Sequence, residues 1–308
     1  MTSEKTNLQK IKSFLYNFKI FAYFLDIRKN YIDNNIRIEN EKRDVLWQSK
    51  FKDGNTSFIM QLQDNISINL YKNSLLSKLI FEGNFELNEI AFLKKILKKD
   101  DYFIDIGANI GLFSIYASGI IGENGKIITF EPSPATFSRL KENIELNKFK
   151  NVEIRNIGIS DKKGELTLNI SESGHDAWDT FAPNINKKMF NKSTTVPVHT
   201  LDDELMEIDK EKIALVKIDV EGWEKFVLNG AKEFLTKFEP VLMVEFTESN
   251  TEAAGYNVLE IYDIMHSLGY QWYKYVNGSL IPEKRNKRYI YDNLIAIKNL
   301  QKVRNRLA

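Results

Sequence analysis

The sequence predicts an α/β fold built on a doubly wound, mostly parallel sheet. From residue 102 onward, short apolar patterns of strand length alternate with amphipathic helical patterns. This alternation is typical of parallel sheets that are covered by helices on both faces. Ligands of such sheets bind beyond the carboxyl ends of the strands, so the residues that follow each strand form the candidate site.

The first 85 residues predict an extension made of helices and a β-hairpin. The stretch 11–27, IKSFLYNFKIFAYFLDI, places apolar and aromatic residues at helical spacing. Polar residues interrupt it, so it falls short of the roughly 18–20 apolar residues that span a bilayer. We expect this helix to dock on the protein or on a second copy, with contact to a membrane surface or another partner as the alternative. No signal-peptide pattern is evident, and we expect a cytoplasmic protein.

We predict that residues 86–300 form the main domain. Residues 57–71 before it alternate apolar and polar around 63–65, which predicts the hairpin, and a face of apolar residues predicts a helix over 86–99. The later strands are predicted at 102–106, 126–130, within 151–159, and at 165–170, 213–220 and 240–246. The later helices are predicted at 112–120, 134–147, 223–235 and 258–269. A polar loop is predicted at 171–195, and a closing pair of strands around the basic loop 283–288.

Composition excludes several classes of site. The chain has 308 residues, of which 43% are hydrophobic, so it can bury a sizeable core. It has no cysteine, which excludes disulfides, thiolate zinc sites and cysteine nucleophiles. The histidines, His175, His199 and His266, fit no metal-ligand spacing. A formal net charge of +1 gives no overall basic excess for wrapping nucleic acid, although it is compatible with a local basic patch, and no nucleic acid is expected as a partner.

Asp105 and two glycines mark the end of the first strand. Gly107 and Gly111 let the backbone turn tightly and let a ligand approach closely. Their spacing differs from the dinucleotide fingerprint, and no Lys or Arg lies between 101 and 125 to hold a phosphate. A carboxylate there attracts a cation. This stretch therefore predicts a binding site for a positively charged nucleoside that lacks phosphate.

Acidic and polar residues also follow the second and third strands. Glu131 comes 20 residues after Gly111, where a carboxylate can accept hydrogen bonds from two ribose hydroxyls. Its alternative role is capping of the helix that starts near Pro132. Asn156 and Gly158, near the end of the third strand, could frame an adenine ring or be ordinary strand and turn residues.

Two further strands carry acids in apolar surroundings. Asp219 interrupts the strand 213–220, and a buried carboxylate is costly unless it has a use. Glu221 begins the next helix, where an acid also favours the helix dipole. Glu245 lies inside the strand 240–246 and is a second, weaker candidate for a functional acid.

Five motifs occur in order over roughly 80–250: IDIGANIG, FEPSPATFSRLKENIELN, ISDKKGELTL, VHTLDD and LVKIDVEGWEKFVLNGA. Together they resemble the FkbM-type S-adenosylmethionine-dependent methyltransferases. The resemblance implies a Rossmann-like, seven-stranded methyltransferase sheet with an antiparallel last strand. It also implies methylation of oxygen, often on hydroxyls of sugars, glycolipids or secondary metabolites.

The resemblance implies S-adenosylmethionine as cofactor. Its ammonium and sulfonium groups suit a carboxylate beside a phosphate-free glycine loop, and the loop would pass under its methionine part. The implied cofactor-binding residues are Asp105, Gly107, Ala108, Asn109, Gly111, Glu131, Pro132, Asn156, Gly158 and Asp219.

Methylation of an alcohol is helped by a general base. Asp219 and Glu221 are the candidates nearest to the predicted cofactor site, and His175 is a third, in a polar loop whose Trp178 could cap a sugar ring. His199 is interpreted as structural. Asp219 could instead bind a divalent metal, but no second carboxylate pair that would complete such a site is evident, so no metal is predicted.

The sequence thus predicts an O-methyltransferase acting on a sugar hydroxyl, with a nucleotide-sugar, polysaccharide or glycolipid as acceptor. One alternative is a methyltransferase of another metabolite or of nucleic acid; the neutral charge and the lack of an Asn/Asp-Pro-Pro-aromatic motif disfavour the latter. Another is a non-catalytic module that binds the cofactor and serves assembly through the N-terminal helix.

Overall fold

The computed structural model describes residues 39–62, 66–171, 177–186 and 189–308, and the chain divides into two compact units, Met1–Asn55 and Thr56–Ala308. The described part of the first unit is a helix over 39–49, α1, and a short 3-10 turn, Lys52–Gly54. The predicted amphipathic helix over 11–27 lies outside the described residues. Within those ranges no helix combines the length and the apolar character needed to cross a bilayer.

The second unit is organised around an eight-stranded sheet. Its strands are, in chain order, β3 (Tyr102–Ile106), β4 (Lys126–Phe130), β5 (Val152–Arg155), β9 (Ile213–Ile218), β10 (Val241–Phe246), β11 (Gln271–Val276), β12 (Ser279–Pro282) and β13 (Asp292–Ile297). The spatial order is β12-β11-β13-β10-β9-β3-β4-β5. The strands from β10 to β5 are parallel, and β13 inserts antiparallel between β10 and β11. The predicted doubly wound sheet with an antiparallel last strand is confirmed.

The eighth strand, β12, is an addition to the predicted seven. It pairs antiparallel with β11 through a tight turn at Asn277 and Gly278, which have φ values of 50° and 81°. Positive φ at both central residues is what the tightest hairpin turns require, and Asn-Gly is the preferred pair for them.

Two smaller sheets accompany the large one. The predicted hairpin consists of β1 (Ser57–Gln61) and β2 (Ser67–Tyr71), with its turn outside the described residues. A three-stranded sheet has the order β6-β8-β7, with β6 at Gly158–Ile159, β7 at Gly164–Ile170 and β8 at Lys192–His199. The sequence assigned the beginning of β8 to the loop 171–195, so the loop is shorter than predicted.

Helices join the strands. They are α2 (Leu75–Phe81), α3 (Leu87–Ile96), α4 (Leu112–Ile121), α5 (Pro134–Leu146), α6 (Leu201–Glu204), α7 (Glu224–Asn229), α8 (Lys232–Phe238), α9 (Glu248–Ala253), α10 (Leu259–Ser267) and α11 (Leu300–Leu307). The hairpin is tied to α5, because the side-chain oxygens of Asn143 and Asn147 accept hydrogen bonds from the backbone N–H groups of Asn69 and Ser67.

Two predicted elements differ in their bounds. The strand 213–220 ends at Ile218, so Asp219 follows the strand instead of interrupting it. The helix predicted over 223–235 is divided into α7 and α8 at Gly230. A Cβ at Gly230 would lie 2.0 Å from the carbonyl oxygen of Ser160, so the two segments meet where only glycine fits.

Candidate active site

A cavity of about 740 Å³ opens at the carboxyl ends of the parallel strands. Residues that follow β3, β4, β9 and β10 line it, which is where a doubly wound sheet is expected to bind its ligands. We call residues 106–110 with Glu131 and Pro132 the glycine wall. Lys217, Asp219, Glu221 and Glu245 form the acid wall. Both walls line the same cavity.

Gly107 permits a close backbone approach between the two walls. Its φ is +81°, and a Cβ there would lie 1.8 Å from the carbonyl oxygen of Asp219. Gly111 has a different use: a Cβ would lie 2.6 Å from Leu140 Cδ1 in α5. Of the two, only Gly107 belongs to the cavity lining, and Gly111 allows α4 and α5 to pack.

Asp105 lies behind the glycine wall, with 1% of its surface exposed. Its Oδ2 accepts a hydrogen bond from Ser114 Oγ at 2.6 Å, while its Oδ1 has no hydrogen-bond partner among the described residues. Burial raises the pKa of this carboxyl. The structure therefore keeps an incompletely satisfied acid one layer below the cavity.

Glu131 is held by the backbone of the glycine wall. Its Oε2 accepts from the N–H of Asn109 at 3.0 Å, and its Oε1 from the N–H of Ser133 at 2.8 Å. Burial raises its pKa to about 8, although these two donors favour the ionised form. Its carboxylate is thus oriented before any ligand binds.

Asn156 and Gly158 both support the wall beside Glu131. Asn156 Nδ2 donates to the carbonyl oxygens of Glu131 and Pro132, at 2.8 and 3.2 Å. Gly158 lines the cavity, and a Cβ there would lie 2.7 Å from the ring of Phe181. Asn156 therefore positions other residues, and Gly158 makes room for an aromatic side chain.

Lys217 is a site residue that the sequence analysis missed. It is 4% exposed, its Nζ lies 2.6 Å from Asp219 Oδ2, and its strand position pairs with that of Asp105 in β3. Burial lowers the pKa of Lys217, but the surrounding carboxylates, Asp219 first among them, outweigh burial and raise it. Residues two apart in a strand share a face. The position of Lys217 two residues before Asp219 was therefore the sequence signal that could have identified it.

Asp219, Glu221 and Glu245 converge on the acid wall. One oxygen from each lies within 4.8 Å of the other two. Asn250 Nδ2 donates to Glu221 Oε2 at 2.6 Å, and Thr247 Oγ1 donates to Glu245 Oε1 at 2.9 Å. Burial, followed by repulsion from neighbouring carboxylates, raises the pKa of Glu221 and of Glu245 well above the ordinary value.

The remaining predicted residues fall into two groups. Trp178 lines the cavity, as a residue that caps an acceptor must, whereas His175 lies outside the described residues. His199 contacts Glu204 and is absent from the described lining. Glu86, which was not predicted, lines the cavity and accepts hydrogen bonds from Tyr291 and Asn293; burial raises its pKa to about 7.

Residues 105–272 match the sequence profile of the family described as the methyltransferase FkbM domain. The hexuronic acid methyltransferase AglP of Haloferax volcanii is 29% identical over 159 residues, 51% of this chain and 61% of AglP. The 2-O-methyltransferase NoeI of Sinorhizobium fredii is 29% identical over 151 residues, 46% of this chain and 61% of NoeI.

The crystal structure of an FkbM methyltransferase from Methylobacillus flagellatus aligns with a TM-score of 0.40 and 15% identity, covering 65% of this chain and 44% of that one. The chain spans about three fifths of the length of the two curated relatives. Because the profile matches more than half of its residues, the chain belongs to the FkbM methyltransferase family.

Proposed function

We propose that this protein is an S-adenosylmethionine-dependent O-methyltransferase that acts on a hydroxyl group of a sugar, in a nucleotide-sugar, polysaccharide or glycolipid. The observation that carries the proposal is the meeting of the glycine wall and the acid wall in one cavity. One wall suits a cationic nucleoside, and the other suits a polar acceptor. A hexuronic acid methyltransferase and a 2-O-methyltransferase among the relatives support a sugar hydroxyl as the acceptor.

The glycine wall fits S-adenosylmethionine. Glu131 offers an oriented carboxylate for two ribose hydroxyls, and Gly107 brings the backbone close to the cavity. Asp105, with an unpartnered buried oxygen just behind the wall, favours positive charge nearby. Pro132 and Gly158, both in the lining, would border the adenine.

When bound, S-adenosylmethionine supplies a methyl group on a sulfonium, which is already a good leaving group. The chain therefore has to hold and orient the acceptor hydroxyl and take up its proton. Asp219 and Glu221 are placed for this work: Lys217 fixes Asp219, and Asn250 fixes Glu221. Burial raises the pKa of Glu221, and a raised pKa suits a carboxyl group for proton uptake. His175 remains a predicted contributor.

The test is methyl transfer from methyl-labelled S-adenosylmethionine to a panel of nucleotide-sugars and glycans, read as a mass gain of one methyl. Asp219→Asn is expected to lower transfer about a hundredfold or more, in the range for general-base groups. Glu165→Gln, an exposed acid on β7, is the matched control and keeps full activity. Binding of the cofactor without transfer to any acceptor would favour the non-catalytic module instead.

A further inference from the structure

The acid wall brings together carboxylates from two adjacent strands. Asp219 and Glu221 lie in the loop after β9, and Glu245 lies in β10. In the parallel pairing of these strands, Val244 is opposite Ile218, so Glu245 comes level with Asp219. We propose that Asp219, Glu221 and Glu245 bind a divalent metal ion that prefers oxygen ligands, Mg²⁺ or Mn²⁺.

Glu245 provides evidence beyond the clustering itself. Only 5% of its surface is exposed. Its Oε1 accepts from Thr247, but its Oε2 is fully buried and finds no hydrogen-bond partner in the part of the chain that the structure describes. A buried polar atom left unsatisfied costs free energy. One oxygen of this carboxylate lies within 4.8 Å of an oxygen of each of the other two, and an ion that Oε2 coordinated would remove that cost.

The local charge balance points to the same ligand. In the part of the chain that the structure describes, Lys217 is the ammonium group that pairs with the cluster, and its Nζ lies 2.6 Å from Asp219 Oδ2. Two further acids act on the cluster electrostatically, Glu86 and Glu224. Glu224 is satisfied by the backbone N–H groups of Val220 and Gly222 and by the hydroxyl of Tyr256.

Among the described residues, one buried lysine thus faces several carboxylates. Either protons or a cation must offset the remaining negative charge, because like charges this close in a low-dielectric interior repel strongly. A divalent ion offsets two charges at once and uses the unpartnered oxygen of Glu245. A proton on each carboxyl is the competing solution, and the experiment below separates the two.

A three-carboxylate site leaves coordination positions open. Mg²⁺ bound by a few carboxylates keeps several other oxygen ligands, and neighbouring hydroxyls of a sugar could fill two of them. This use of the ion rests on the proposed function, but binding of the ion does not. The carboxylates would then act as its ligands, and loss of activity in Glu221→Gln would follow from loss of the ion.

The direct test is Mn²⁺ binding to the full chain at pH 7.5, followed by the loss of the electron paramagnetic resonance signal of free Mn²⁺. We expect one Mn²⁺ per chain, and an affinity that falls roughly tenfold or more in Glu221→Gln and Glu245→Gln. Glu165→Gln, the exposed control, should bind as the unaltered chain does. Thermal unfolding with and without Mn²⁺ provides a second readout, since an ion that binds the folded state raises Tm.

Glu245→Gln distinguishes the two solutions and also checks folding. If an ion fills the site, Mn²⁺ raises the Tm of the unaltered chain, whereas the variant folds but its Tm gains nothing from Mn²⁺. If the cluster holds protons instead, the unaltered chain binds no Mn²⁺ and its Tm does not respond to the metal, which would overturn the proposal. Mn²⁺ binding without sugar methylation would contradict the proposed acceptor and leave the metal site standing.

Discussion

The two walls of the cavity both bury carboxylates, yet they satisfy them differently. On the glycine wall, Glu131 accepts hydrogen bonds from the backbone N–H groups of Asn109 and Ser133. On the acid wall, Glu245 keeps an oxygen without a partner among the described residues, and one oxygen from each of Asp219, Glu221 and Glu245 lies within 4.8 Å of the other two. A carboxylate that the backbone has already oriented suits neutral hydroxyls, whereas a crowded set of carboxylates needs positive charge. One cavity thus combines a wall whose Glu131 side chain is already oriented with a wall whose crowded carboxylates a positively charged ligand would complete.

Lys217 should carry the largest share of the stability of the acid wall. Lys217→Met leaves the partly buried Asp219, whose side chain is 20% exposed, without its partner, and breaking a largely buried ion pair in this way costs up to about 3–5 kcal/mol of the free energy of unfolding. Urea denaturation measures the loss. The double variant Lys217→Met, Asp219→Asn should recover part of it, because the orphaned charge is removed. Equal loss in the single and double variants would show that the pair is not coupled.

Gly107 should be the most sensitive position of the glycine wall. Gly107→Ala combines a left-handed backbone with a Cβ that collides with Asp219, and we expect a loss of about 2–4 kcal/mol in the free energy of unfolding together with weaker cofactor binding. Gly83, with φ of +69° and open space around it, is the matched control, and its alanine variant should lose about 1–2 kcal/mol. Chemical denaturation and cofactor titration make the comparison.

The stability of the folded chain should also depend on pH. The pKa of Glu131 is raised to about 8 and that of Glu86 to about 7 in the folded protein, above the usual 4.5 or so of an unfolded chain. The folded state therefore binds more protons between pH 5 and 8, and stability falls as pH rises through that window. The Tm of the cofactor-free protein should drop from pH 6 to pH 8.5.

Glu131→Gln removes one of the titrating groups and should flatten that decline. Glu123→Gln, an exposed acid, is its control and should follow the unaltered protein. A Tm that rises over the same interval would contradict the view that these buried acids hold protons in the cofactor-free protein.

Strand periodicity predicted the parallel strands of the sheet, and the carboxyl ends of those strands as the position of the site. The strands β3, β4 and β10 lie where apolar runs placed them, and Glu131 lies in the cavity wall as the strand-end rule implies. The short helices α2 and α9 escaped prediction because segments of seven and six residues show too little of a helical period.

What the sequence could not supply is proximity across the sheet. Glu221 and Glu245 meet because β9 and β10 are neighbours in space, and chain order alone does not establish that. Lys217 did not stand out as a site residue because the residues on both sides of it in the strand are apolar. Gly111 and Asn156 are predicted to bind the cofactor; in the structure Gly111 lies against α5, and Asn156 supports the loop after β4, so their role in binding stays a prediction.

The eighth strand has a consequence for association between chains. An exposed sheet edge is a template on which another polypeptide can add a strand. Here β12 covers β11 and ends in Pro282, a residue without a backbone N–H to donate. The outermost ladder is therefore short and interrupted, so this edge resists intermolecular strand addition while the chain folds.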